Sequence, residues 1–121
     1  MKLHLSAFLF FLIMGITQCN KPMHPNGTFK AKLLASFCAF HIVEIQDSAY
    51  YDQGMDWTDS QGKQYLHVFA IKNHCDFAKA NVKTGDVFTC KILSRDSETN
   101  CAVCMGFMET PPLQKNIEAV Q

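Results

Sequence analysis

The chain has no excess of charge of either sign: eleven Lys and Arg are balanced by eleven Asp and Glu in 121 residues. Without a basic face there is no electrostatic basis for a nucleic-acid groove, because such grooves bind by neutralising phosphates. Beyond residue 16 no apolar run approaches the ~20 residues that a membrane-spanning helix needs. There is no internal repeat and no low-complexity tract. Catalytic signatures are also missing. No Gly-x-Ser-x-Gly elbow, phosphate-binding glycine loop or His-Glu-x-x-His pattern occurs, which argues against an enzyme and implies no cofactor.

The first residues carry an address. Lys2 and His4 precede "LSAFLFFLIMGI", an apolar run from Leu5 to Ile16. A run of this length suits the h-region of a signal peptide and is too short to span a bilayer. No polar residue alternates within it to give a soluble helix an outer face. "TQCNKP" then stops the helix, since Pro22 disfavours helical backbone at Lys21. Two cleavage chemistries fit. One cuts after the small residues of Gly15-x-Thr17, and the other cuts before Cys19, where a thiol would carry lipid. "CNKPMHPNG" favours the second, because it reads as a flexible tether. Fully extended, Asn20 to Gly27 reaches ~26 Å. The expected division is a signal peptide over 1–18, a tether over 19–27 and a β-barrel domain over 28–121.

Without the first eighteen residues, 103 remain. That is one small domain, and a domain this small often needs covalent staples. Six cysteines suit export to an oxidising compartment. The basic residues less Lys2 number ten against eleven acids, a net charge near −1.

Beyond Gly27 the apolar residues recur with a period of two. In "TFKAKLLASF" Phe29, Ala31, Leu33, Ala35 and Phe37 share one face, which predicts a half-buried strand. "AFHIVEIQ" (39–46), "QYLHVFAIK" (64–72), "DVFTCKILS" (86–94), "AVCMGFME" (102–109) and "NIEAV" (116–120) extend the series. Residues 64–72 are apolar on both parities and should be central. Phe88, Cys90 and Ile92 should point inward. "VKTGD" predicts a tight turn with Gly85 at positive φ, and "TPPLQ" ends a strand. Only "CDFAKANV" can hold a helical turn or so. The fold class is therefore all-β, a small antiparallel barrel of five or six strands, which leaves few sheet edges open.

This layout, with Cys38, "TGDVF", "NCAVC" and the lipobox-like "ITQC", resembles the small OB-like β-barrel lipoproteins of the Gram-negative envelope. The resemblance covers residues 28 to 120 and implies a barrel on a lipid anchor. It supplies no catalytic residues.

With Cys19 acylated, five thiols remain, enough for two disulfides and one leftover. Cys90 is the leftover, an inward strand residue acting as a small hydrophobe. Cys38, Cys75, Cys101 and Cys104 flank strand ends, and the expected pairing joins Cys38 to one member of Cys101/Cys104 and Cys75 to the other. Without acylation, six thiols leave 15 connectivities open. "CAVC" also permits a redox pair. His74, Cys75, Cys101 and Cys104 would suit zinc or copper(I), although adjacent residues point apart on a strand.

The stretch 47–64 reads as a long loop and the best ligand-binding candidate. Tyr50, Tyr51 and Trp57 stand among Asp52, Asp56, Asp59, Gln53 and Gln61. Aromatic faces beside carboxylates and amides suit a sugar; alternatively, the aromatics cap an open barrel end. The three aspartates lack the spacing of a calcium loop. His41 and His67 read as ordinary strand residues, and "NGT" (26–28) is a glycosylation acceptor only in a eukaryotic source. The expectation is an exported envelope module, membrane-tethered, that binds a partner protein or a glycan. Its rival is a thiol-redox or metal-handling protein.

Overall fold

A computed structural model describes residues 27–95 and 100–120. The expected signal peptide, Cys19 and nearly all of the tether lie outside the described residues.

The period-two pattern becomes six strands. They are β1 (Thr28–Phe37), β2 (Phe40–Ile45), β3 (Met55–Thr58), β4 (Gln64–Ile71), β5 (Val87–Leu93) and β6 (Gln114–Val120). A 3₁₀ helix (Ser48–Gln53) precedes β3, and α1 (His74–Lys79) lies between β4 and β5. The barrel closes in the order β1-β2-β4-β6-β5 and back to β1, with β3 as an extra strand on β4. This order, with a helix after the third barrel strand, is the OB-like arrangement.

Three expectations change. The seam between β4 and β6 is parallel (Ala70↔Gln114, Ile71↔Lys115), so the barrel is mixed rather than wholly antiparallel. Residues 102–109 form no strand, because both cysteines of "CAVC" are bonded to other parts of the barrel and the segment lies outside the ladder. Residues 47–64 are not a loop. They contain the 3₁₀ helix, β3 and a tight turn in which Gly62 takes φ +83°.

The core is filled by the inward parity of each strand: Phe29, Ala31 and Leu33 from β1, Val43 and Ile45 from β2, Phe69 and Ile71 from β4. Cys90 of β5, Ile117 of β6, Phe77 of α1 and Tyr50 of the 3₁₀ helix complete it. Buried Asn73 ties α1 to β6 at two points. Its Nδ2 donates to the Ile117 carbonyl (2.7 Å), and the Ile117 N–H donates to its Oδ1 (2.8 Å). Gly85 adopts φ +95° in the turn before β5, as the sequence predicts.

Two disulfides complete the frame, Cys38–Cys104 and Cys75–Cys101, with Cα separations of 5.2 and 5.6 Å. Cys90 is free and buried. The bridges span 66 and 26 residues. By the chain-entropy argument each restricts the unfolded chain by about 3–5 kcal/mol.

Candidate functional site

The residues expected to bind a ligand separate into three groups. Tyr50 is a core residue, 5% exposed and stacked on Phe29 at 4.7 Å between ring centroids. It is removed from the candidate ligand set, because the 3₁₀ helix turns successive side chains ~120° apart, sending Tyr50 inward and Tyr51 outward. Asp47 starts that helix by accepting the Ala49 N–H at 3.2 Å. Asp52 is exposed on the same short helix.

Tyr51 and Asp56 converge on His67. The Tyr51 and His67 rings lie parallel with centroids 3.6 Å apart. Asp56 Oδ1 accepts the His67 backbone N–H at 3.2 Å and lies 3.9 Å from Nδ1. His67 has φ +57° in mid-strand, opposite the register break between Met55 and Trp57. Left-handed backbone in a non-glycine residue costs energy, so its neighbours must enforce it. Gly54 is one of them: a Cβ there would lie 2.6 Å from the His67 carbonyl carbon.

Trp57 belongs to the other face of β3. It pairs with Tyr65 directly across the ladder, and their rings stack at 5.3 Å and 25°. Lys63 Nζ sits 4.9 Å above the Tyr65 ring. Tyr65 thus has both an ammonium and an indole against its ring. Trp57, Tyr65, Ala35, Ile42, Gln61 and Met108 line a cleft of about 240 Å³. A second hollow of about 510 Å³ continues past Tyr65 to Leu34, Glu44, Gln64 and Leu66. Two carboxylates at the first cleft are already engaged. Glu109 accepts the Ser60 N–H (3.1 Å) and Oγ–H (2.6 Å), which fixes the 100–113 segment to the β3–β4 turn. Asp59 accepts the N–H groups of Gln61 and Lys63.

A polar chain lies at the disulfide end of the barrel. Ser36 Oγ is 2.8 Å from His41 Nδ1, and His41 Nε2 is 2.6 Å from His74 Nδ1. Burial, with His74 beside it, lowers the His41 pKa from 6.5 to about 4, so His41 is neutral at pH 7. Cys101 and Cys104 bond to different partners. They are therefore not one dithiol couple, and with Cys75 also bonded, the set His74, Cys75, Cys101 and Cys104 offers no thiolate to a metal. Among the described residues no group of three or more His, Cys, Asp or Glu is placed to hold an ion.

Sequence reasoning named Tyr51, Asp56 and Trp57 but missed Tyr65, His67 and Met108. A signal for Tyr65 was present: "MDWT" alternates and "DSQGK" is a turn, which together make a hairpin placing Trp57 near Tyr65. The bulge at His67 had no such signal. Comparison with protein-family models, curated proteins and solved structures finds no match for this chain.

Proposed function

We propose that the chain is an exported, lipid-anchored binding module of the bacterial cell envelope, without catalytic activity, holding a neutral glycan in the cleft beside Trp57. One observation carries the ligand assignment: Trp57 stands across from Tyr65 with the two rings stacked, on the wall of a cleft that also presents Gln61. An indole oriented by a neighbour offers its other face to the C–H face of a sugar with little ordering cost, and nearby polar groups meet the hydroxyls. OB-like barrels bind both oligosaccharides and oligonucleotides. Balanced charge, with Glu44, Asp59 and Glu109 against Lys63 at the two hollows, favours the sugar over a polyanion. The address rests on the apolar leader, Cys19 in "ITQC" and the polar run to Gly27.

Trp57 is the single tryptophan of the chain, so its emission reports the cleft without a label. Titration with neutral oligosaccharides released from envelope material is expected to shift that emission saturably. The Tyr65→Ala variant should weaken the response while keeping the fold. No saturable change with any envelope glycan, while the disulfides are intact, would refute the glycan assignment. Intact mass measurement tests the address separately: it predicts a chain beginning at Cys19 with added acyl mass.

A further inference from the structure

The 101–109 segment presents its apolar residues on the side that an exposed segment normally makes polar. It is fastened to the barrel at two points: Cys104 is bonded to Cys38, and Met108 lines the Trp57 cleft. Gly106 sits so close to the hairpin that a Cβ there would lie 2.7 Å from Cys38 Sγ. Beside these fastenings Val103, Met105 and Phe107 face solvent, exposed by 54%, 106% and 79%, with the Phe107 ring edge-on to Phe40 at 5.3 Å. Phe37, 50% exposed, ends β1 next to the same disulfide. No Asp, Glu, Lys or Arg occurs in 100–108 or in 36–43.

From this we infer that Val103, Met105 and Phe107 form a rigid apolar tip that inserts into the surface of an uncharged lipid bilayer. Three features select the occupant. The tip is convex, with Met105 exposed as fully as in an extended chain, so it does not complement itself. Its apolar area with Phe37 is about 500 Å², short of the ~800 Å² per partner that a stable dimer buries. A fluid interface accepts a convex shape, and Phe, Met and Val gain there without any need for charge. With no basic cluster on the tip, docking is independent of anionic lipid and of salt. Thr28 and Phe37 lie at opposite ends of the ten-residue β1, ~30 Å apart at strand rise. The tip is thus at the end of β1 remote from Thr28, and its docking is a separate event from anchoring at Cys19.

The test places a reporter on the tip of the full chain. A Phe107→Trp, Trp57→Phe variant in phosphatidylcholine vesicles containing brominated acyl chains should show strong quenching and a blue shift, at least about threefold beyond the quenching of native Trp57. Adding Met105→Asp should abolish it while far-ultraviolet circular dichroism and both disulfides persist. Raising salt or adding phosphatidylglycerol should change nothing. An indole at position 107 that stays unquenched and solvent-like would overturn the inference. So would a dimer in sedimentation that Met105→Asp dissolves, since that would assign the tip to a second copy.

Discussion

His41 and His74 face each other nitrogen to nitrogen at 2.6 Å, with their rings stacked at 4.9 Å. Only one of the two facing nitrogens can carry the shared proton. Ser36 Oγ occupies the other His41 nitrogen, and the Phe77 ring lies edge-on at 5.0 Å. A charge on His41 is disfavoured at this junction of β2 and α1.

Stability should therefore fall on acidification in a defined window. The His41 pKa is about 4 in the fold and about 6.5 in the unfolded chain, so between those values the unfolded state binds more protons. Stability attributable to His41 is fully present above pH ~6.5 and is lost as pH drops towards 4, by about 3 kcal/mol in all. Urea unfolding between pH 7.5 and 4 measures the slope. A His41→Leu variant should show a flatter profile, and an unchanged slope would mean that other groups carry it.

The Asn73 tie predicts a large effect from a small truncation. Asn73→Ala removes both partners of the Ile117 backbone and leaves a buried N–H and C=O unmatched. The cost is expected at about 2–4 kcal/mol. Hydrogen exchange should show faster opening at Ile117 together with α1, while the β1–β2 hairpin is unaffected.

Gly54→Ala should disturb β3 by crowding. The added Cβ would lie 2.6 and 2.8 Å from the His67 carbonyl carbon and oxygen, which are backbone atoms and cannot rotate away. A loss of about 1–3 kcal/mol is expected. The Tyr51–His67 stack should open as well, read as a change in the His67 ring proton shifts. Gly54 has φ −110°, so the cost would come from contact rather than from dihedral strain.

Strands on the barrel were legible because one face meets the core and the other meets water. Phe29, Ala31 and Leu33 alternate for that reason, and so do Phe88, Cys90 and Ile92. The same pattern misled at 102–109. There, over 103–108, Cys104, Gly106 and Met108 lie against the barrel while Val103, Met105 and Phe107 face solvent, and no ladder forms. Trp57 and Tyr51 stood out as aromatics in a polar stretch. Their partners depend on cross-strand register and on a one-residue bulge at His67, which the local sequence does not encode. The disulfide pairing followed from strand-end positions, with Cys90 set aside as inward, and the bridges join the expected pairs.

Cys90 gives the last test, because its chemistry is set by where β5 places it. Its side chain is fully buried between β1 and β6, paired with Phe29 on one side and Ala119 on the other. Burial pushes its thiol pKa up to about 12, so at pH 8 almost no thiolate exists and none is accessible. Iodoacetamide at pH 8 should leave Cys90 unmodified in the folded protein over hours. In urea without reductant, Cys90 should be alkylated quickly while Cys38, Cys75, Cys101 and Cys104 stay unmodified. The position of the modification, read by peptide mass, is decisive. Alkylation at Cys101 or Cys104 before reduction would mean that the bridges are not formed. Labelling of Cys90 in the native state would mean that the barrel opens beside β5, at its seam with β1 or with β6.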